Sequence, residues 1–147
     1  MSKSDELNSQ LYVAASQVQK NAHAPYSNFK VGAAVLSDDG KIYAGCNVEN
    51  AAYPEGMCAE GSAIAMMVAN GGQAIEQICI IGDGEGLVTP CGGCRQKIRE
   101  FAKADTPVFI CGADGLRETF TLAQLLPHSF GPDHLTQDNL TNTENDK

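Results

Sequence analysis

The sequence has no tryptophan, few aromatic residues and fewer basic than acidic ones. Of its 147 residues, 10 are Lys or Arg and 18 are Asp or Glu, which gives a formal net charge of −8. Because an acidic surface repels phosphate backbones, this balance argues against nucleic-acid binding through a broad basic face. No apolar run approaches the length of about 18 residues that a membrane-spanning helix needs. The opening segment MSKSDELNSQ holds no apolar signal core, so we expect a cytoplasmic protein.

Hydrophobic residues make up 43% of the chain, which is enough apolar material for a folded core and excludes wholesale disorder. The length fits one domain of ordinary size. We place that domain at residues 1–135, because no linker or repeat divides them. The remaining segment, 136–147, is polar throughout, and we expect it to be disordered.

The spacing of apolar residues predicts alternating helices and strands, and therefore an α/β protein. A first helix is expected over 4–22, capped by Ser4. Asp38-Asp39-Gly40 predicts a tight turn between two strands. The predicted elements are strands at 31–36, 41–48, 75–81, 107–111 and 118–121, helices at 58–70 and 91–103, and a helical turn at 122–126. Their order implies parallel neighbours in one sheet that is covered by helices.

Six cysteines stand out in a chain for which no secretion is expected, which favours metal binding or catalysis over disulfides. Cys91 and Cys94 are three residues apart at the predicted start of a helix, so both sulfurs face one side of its first turn. Cys58 opens another helix. Helix N-termini favour thiolates, and three thiolates around zinc leave the fourth tetrahedral position for water, as in catalytic sites.

Glu60 lies two residues after Cys58, where a carboxylate can take a proton from such a water. The alternatives are a structural zinc site, a redox C-x-x-C pair, or buried free cysteines. A structural site needs a fourth ligand, and Cys46, Cys79, Cys111 or a histidine could supply it. Cys79 and Cys111, however, lie in apolar strand runs, where cysteine ordinarily acts as a small buried hydrophobe.

Five collinear segments give the chain a close resemblance to the small cytidine deaminases of pyrimidine salvage, over residues 5–135. They are PYSNFKVG at 25–32, NVENAAYP at 47–54, CAE at 58–60, PCGGCRQ at 90–96 and LLPHSFG at 125–131. The resemblance implies hydrolytic deamination of cytidine and deoxycytidine to uridine and deoxyuridine, with release of ammonia. It also implies a three-layer fold, with a mixed five-stranded sheet between helices, and a homotetramer with shared active sites.

The resemblance assigns roles to individual residues. It implies that Cys58, Cys91 and Cys94 hold one zinc ion per chain and that Glu60 moves protons. It implies a substrate site in which Asn47 and Glu49 bind the ribose, Phe29 stacks near the base, the Ala59 backbone contacts the base edge, Tyr53 lies at the shared interface and Phe130 enters from another subunit.

The chemistry of two of these residues agrees with their implied roles. Asn47 can donate and accept hydrogen bonds whereas ionised Glu49 only accepts, and a ribose needs both kinds of partner. A carboxylate at this point would repel a 5′-phosphate, which favours nucleosides over nucleotides. The structural alternatives are that Asn47 and Glu49 cap strand ends and that Phe29 and Phe130 belong to the core.

One position departs from the family pattern, which usually continues Cys-Ala-Glu-Arg, because residue 61 is glycine. Three thiolates outweigh the charge of a zinc ion, and an arginine beside the sulfurs would offset the excess. Arg95, directly after Cys94, is one candidate source of that charge, and the two helix N-termini are another. A weaker metal site and a slower enzyme are the third possibility. Gly61 also leaves volume that could admit larger substituents on the pyrimidine amino group.

Three other functions compete with cytidine deamination. The first is deamination of a related amino-pyrimidine nucleoside, such as a nucleoside antibiotic, although NVEN at 47–50 favours a plain ribose. The second is nucleic-acid editing, which the net charge disfavours. The third is a non-enzymatic zinc module, which would need four protein ligands and would not depend on Glu60.

Overall fold

A computed structural model of the chain describes residues 2–136 and shows one five-stranded sheet with helices on both faces. The helices are α1 (Lys3–Gln19), α2 (Ala59–Ala69), α3 (Gly92–Phe101) and α4 (Leu122–Leu125), with short 3₁₀ helices at Tyr53–Glu55 and Pro132–Leu135. The strands are β1 (Val31–Ser37), β2 (Ile42–Cys46), β3 (Ile75–Gly82), β4 (Pro107–Gly112) and β5 (Gly115–Thr121). Except for Thr136, the predicted disordered tail lies outside the described residues.

The sheet order is β2-β1-β3-β4-β5, and only β3 and β4 run parallel to each other. The other neighbouring pairs are antiparallel. The mixed five-stranded sheet is thereby confirmed, whereas the parallel neighbours implied by the element order are confined to one pair. Parallel pairing appears there because α3 connects β3 to β4. Short turns join β1 to β2 and β4 to β5, whereas the long connection through α2 returns β3 antiparallel beside β1.

Alternation along β1 builds a separate hydrophobic cluster on each face of the sheet. Ala34 and Leu36 belong to the cluster under α1, which also contains Leu11. Ala33 and Val35 belong to the larger cluster under α2 and α3. The three layers expected from the resemblance are therefore present, with α1 on one face of the sheet and α2 and α3 on the other.

Glycine lets one helix approach each face of the sheet closely. A Cβ atom on Gly32 would lie 2.2 Å from the carbonyl oxygen of Ala15 in α1. A Cβ atom on Gly45 would lie 2.4 Å from the backbone nitrogen of Ala63 in α2. These distances are too short for any side chain, so both positions require glycine for the helices to keep their places.

Several predicted element boundaries need correction. Helix α1 ends at Gln19 and β2 at Cys46, three and two residues before their predicted ends. Ser2, not Ser4, caps α1, because the Ser2 hydroxyl accepts from the Asp5 backbone and the Asp5 carboxylate accepts from the Ser2 backbone.

Strand β5 begins at Gly115, three residues before the predicted start. Apolar Leu116 is exposed whereas the charged side chain of Arg117 is largely buried, so the start of this edge strand shows no apolar alternation facing the core.

Candidate active site

The first turns of α2 and α3 bring three cysteine sulfurs together. Cys58 is the N-cap residue of α2, Cys91 is the N-cap residue of α3, and Cys94 lies in the first turn of α3. The three Sγ atoms all lie within 4.8 Å of one another. A zinc ion with Zn–S bonds of about 2.3 Å requires sulfurs roughly 3.8 Å apart in a tetrahedron, so this cluster fits the ion with small adjustments.

Within residues 2–136, no fourth cysteine, histidine or carboxylate joins this cluster. Cys79 and Cys111 are instead buried on neighbouring strands β3 and β4, with their sulfurs 3.5 Å apart. The cluster thus offers three protein ligands and one open position, the arrangement of a catalytic rather than a structural zinc site.

Glu60 lies in the first turn of α2 and is only 5% exposed. Its negative charge contributes to raising the thiol pKa values of Cys58 and Cys94, so the carboxylate lies close to the ligand sulfurs. No other residue in the described part of the chain hydrogen-bonds this carboxylate. It is therefore available to a water or substrate beside the metal position.

The three thiols differ in their readiness to ionise when no metal is bound. The backbone N–H of Cys94 donates to the Cys91 sulfur and lowers the pKa of Cys91. Burial raises the pKa of Cys58 and of Cys94, and the charge of Glu60 adds to both effects. The expectation that helix N-termini favour all three thiolates therefore holds for Cys91 only. Metal binding must displace protons from the other two thiols.

A cavity of about 390 Å³ opens next to the cluster, within the usual size range of small-molecule sites. Its walls come from the β1 start, the segment after β2, the start of α2 and the segment before α3. The lining residues are Val31, Asn47, Val48, Glu49, Tyr53, Gly56, Met57, Cys58, Ala59, Glu60, Val88, Thr89 and Cys91. Seven of the predicted site residues therefore line one cavity, and Val48 and Gly56 line it beside them.

Asn47 and Glu49 lie on one side of an extended segment, and the side chains of both already form hydrogen bonds with backbone groups of the protein. The Asn47 amide accepts from the Val31 N–H and donates to the Phe29 carbonyl, at 2.9 Å in each case. An amide has a second hydrogen and a second lone pair, so it can also bind a ligand. Asn47 thus does cap a strand end, as the structural alternative expects, and its remaining hydrogen and lone pair can still bind a ligand.

Glu49 organises the loop that precedes β1. Its carboxylate accepts hydrogen bonds from the Tyr26 and Ser27 backbone and from the Ser27 hydroxyl. These hydrogen bonds lower the pKa of Glu49, and the bond from the Ser27 hydroxyl has the largest effect. The carboxylate therefore carries its charge at neutral pH. A second cavity, to which Tyr26, Glu49 and Tyr53 contribute, adjoins the first through shared residues.

Two aromatic residues predicted for the site do not line the main cavity of this single chain. Phe29 is partly exposed, and its carbonyl anchors Asn47. Phe130 is 59% exposed and stacks on His134, with 5.1 Å between the ring centroids. Neither ring is a core residue. Tyr53, in contrast, reaches the cavity and packs edge-on against Tyr26, with ring centroids 5.7 Å apart.

The Arg95 guanidinium points away from the sulfurs. It donates to the carbonyls of Pro90 and Leu125, both at 2.7 Å, and to the Thr89 hydroxyl. These bonds fix the segment that carries Cys91. The hypothesis that Arg95 offsets thiolate charge by direct contact therefore has no support in the geometry, and its evident task is to shape the loop.

Sequence reasoning missed three residues at or near the site. Thr89 lines the cavity beside Cys91, and its position directly before Pro-Cys was the available signal. Met57 is half exposed and lines the cavity too. Lys97 contacts Gly61 across two helices, which no local pattern could reveal. Gly61 does not line the substrate cavity but a neighbouring one, together with Lys97.

Comparison with known proteins agrees with this geometry. Residues 5–111 match the family model described as the cytidine and deoxycytidylate deaminase zinc-binding region. A cytidine deaminase of Sporosarcina psychrophila is 41% identical over 126 residues, which is 86% of this chain and 93% of that protein. The crystal structure of a cytidine deaminase from Burkholderia pseudomallei superposes with a TM-score of 0.78 at 38% identity, covering 88% of this chain and 100% of that one. A Mycobacterium tuberculosis cytidine deaminase structure gives 0.72 at 34% identity, over 84% and 96% of the two chains.

Proposed function

The chain belongs to the cytidine and deoxycytidylate deaminase family, and from that membership we propose that it hydrolyses cytidine and deoxycytidine to uridine and deoxyuridine, releasing ammonia. The observation that carries the proposal is the cluster of three cysteines with an open fourth position and a buried glutamate beside it. A structural zinc module would need a fourth protein ligand, and residues 2–136 place none there.

In the proposed reaction, Cys58, Cys91 and Cys94 would hold a zinc ion, which would supply a Lewis acid that lowers the pKa of a water in the open position. Glu60 takes one proton from the water as its oxygen bonds to C4, and passes that proton to the ring nitrogen N3. The same carboxylate then takes the remaining proton from the C4 hydroxyl and gives it to the amino group, so that the C4–N bond breaks, a carbonyl forms at C4 and ammonia leaves. Burial of Glu60 keeps these transfers away from bulk water and directs them to the substrate.

The remaining walls of the cavity are proposed to position the nucleoside. The Ala59 backbone is proposed to contact the base edge, and its position in the cavity wall beside Glu60, at the first position of α2, supports this role. Asn47 and Glu49 are proposed to bind the ribose hydroxyls through the amide hydrogen, the amide lone pair and the carboxylate oxygens that the loop leaves available. The charge on Glu49 disfavours a 5′-phosphate, so we propose nucleosides as substrates rather than nucleotides.

We also propose a homotetramer in which Phe130 and Tyr53 complete the site of a neighbouring subunit. The exposed Phe130, Tyr53 and Met57 side chains support an interface, because large apolar groups on a surface favour association. A cytoplasmic role in pyrimidine salvage fits this activity. No helix among residues 2–136 is both long enough and apolar enough to cross a bilayer.

The test is an ultraviolet assay with purified protein whose zinc content has been measured. We expect about one zinc per chain, and loss of cytidine absorbance matched by ammonia release. Deoxycytidine should react as well, whereas cytidine 5′-monophosphate should react much more slowly. Protein that is loaded with zinc but leaves cytidine and deoxycytidine unchanged would contradict the proposal, and turnover of another amino-pyrimidine nucleoside would then favour the competing function.

A further inference from the structure

A side chain from the neighbouring helix α3 packs against Gly61. A Cβ atom on Gly61 would lie 3.5 Å from Cδ and 3.8 Å from Cε of Lys97. Both distances are ordinary van der Waals contacts, so the Lys97 stem lies directly over Gly61. Lysine keeps its charged end in a polar environment while its stem covers such a surface.

The helix geometry places this contact beside the metal ligands. Gly61 is three residues after Cys58 on α2, and Lys97 is three residues after Cys94 on α3, so each lies on the same helix face as a ligand. Long side chains on a helix lean towards its N-terminus, which directs Lys97 over the turn that holds Cys94. Cys58, Gly61 and Lys97 line a common cavity of about 300 Å³, which adjoins the substrate cavity through Gly56, Met57 and Cys58.

The three cysteine ligands and Glu60 together leave an excess of negative charge around the metal position, which a nearby positive group would offset. Three thiolates and Glu60 carry more negative charge than one divalent ion offsets. Arg95 does not supply the difference, because its donors reach two carbonyls and a hydroxyl. Lys97 has no ion pair with any acid in the described residues, and this includes Glu100, which lines the same cavity. Its ammonium is therefore available to the ligand set.

We propose that Lys97 is a positioning residue of the metal centre, which supplies from α3 the positive charge that Gly61 cannot supply from α2. The charge offsets the excess negative charge that the three thiolates and Glu60 place around the metal position. This inference deepens the proposed function, since it concerns the same site, but it makes a claim about metal binding that does not depend on the substrate.

The experiment compares zinc affinity in three variants of the full chain by competition with a chromogenic chelator. Lys97→Met should weaken zinc binding about fivefold at low ionic strength, because a unit charge several Å from the thiolates is removed. Lys97→Arg should stay near wild type. Lys103→Met, which removes the same charge from the segment that follows α3, should also stay near wild type. The loss in Lys97→Met should shrink at high salt, as expected for a partly exposed charge.

A second variant pair separates charge from packing. In the Lys97→Met background, Gly61→Arg should restore zinc affinity, because it returns a positive charge to the same space from the other helix. Wild-type zinc affinity in Lys97→Met would overturn the proposal. An equal loss of zinc affinity in Lys97→Met and Lys97→Arg would also overturn it, because packing rather than charge would then explain the effect. If Lys97→Met does not fold, Lys97→Gln replaces it, with the same expected loss. These outcomes are read from zinc alone, so a failure of cytidine turnover remains distinguishable from them.

Discussion

Two polar side chains that line the cavity also form hydrogen bonds that stabilise the surrounding segments of the protein. Glu49 lines the cavity and also accepts three hydrogen bonds from the loop before β1. Asn47 joins the segment after β2 to the start of β1. The polar groups proposed to bind the nucleoside are therefore oriented before it arrives, which reduces the entropy lost on binding.

Glu49 makes the stability of this loop dependent on pH. Because its hydrogen bonds lower its pKa below the ordinary 4.5, its contribution is present above that value and is lost as pH falls through the folded-state pKa. We expect Glu49→Gln to lose stability at pH 7, and its free energy of unfolding to fall less steeply with acid below about pH 5 than that of wild type. Urea unfolding at several pH values measures both effects.

The matched control is Glu76→Gln, which removes an exposed carboxylate from β3. It should follow the wild-type pH dependence closely. If the free energy of unfolding fell in parallel for Glu49→Gln and wild type as the pH is lowered, the hydrogen bonds to Glu49 would not contribute to stability.

At the scale of helices and strands, local signals predicted most of the fold but not its contacts across layers. The Asp38-Asp39-Gly40 turn and the hairpin it joins are confirmed, since Gly40 has a φ of 78° and β1 pairs with β2. Cys58 and Cys91 do mark helix starts. The orientation of Arg95 and the contact of Lys97 with Gly61 depend on how α2, α3 and α4 pack. No sequence spacing encodes that packing, so these assignments had to come from the structure.

The close approach of α2 to β2 sets the position of Cys58 and Glu60. Gly45→Ala would place a methyl group 2.4 Å from the Ala63 nitrogen and 2.6 Å from the Ser62 backbone. We expect a loss of about 1–3 kcal/mol in the free energy of unfolding, since α2 must shift to make room. The shift should also weaken zinc binding.

Gly86→Ala is the control for this substitution, because a Cβ atom there would meet no neighbour within 4 Å. Denaturant unfolding and zinc competition on both variants give the comparison. Equal stability of the two variants would mean that the layer spacing is looser than the structure shows.

At the scale of the whole molecule, the proposed assembly concerns the open side of the cavity. The cavity is open to solvent along Tyr53, and the Phe130 ring lies outside it. If Phe130 acts in a neighbouring subunit, the molecule works as an oligomer, and its mass in solution should be about four times the 15.5 kDa of one chain. An acidic surface keeps such an assembly soluble while leaving the apolar contact regions to associate.

Subunit complementation tests this arrangement. Phe130→Ala and Glu60→Gln should each be nearly inactive alone, but their co-expressed mixture should regain activity, because some sites then combine an intact Glu60 with a neighbour's Phe130. Light scattering of both variants checks that assembly is preserved. A mixture no more active than its separate components would place Phe130 in its own subunit's site or outside any site.

The most direct test of the account measures zinc content and cytidine turnover together in Glu60→Gln. The account predicts zinc binding equal to or above that of wild type and a fall in kcat of at least about 10²-fold, because the group that moves protons is lost while the three cysteines remain. Glu55→Gln, a nearby exposed glutamate in the first 3₁₀ helix, should keep both properties. Near wild-type turnover in Glu60→Gln would contradict the account.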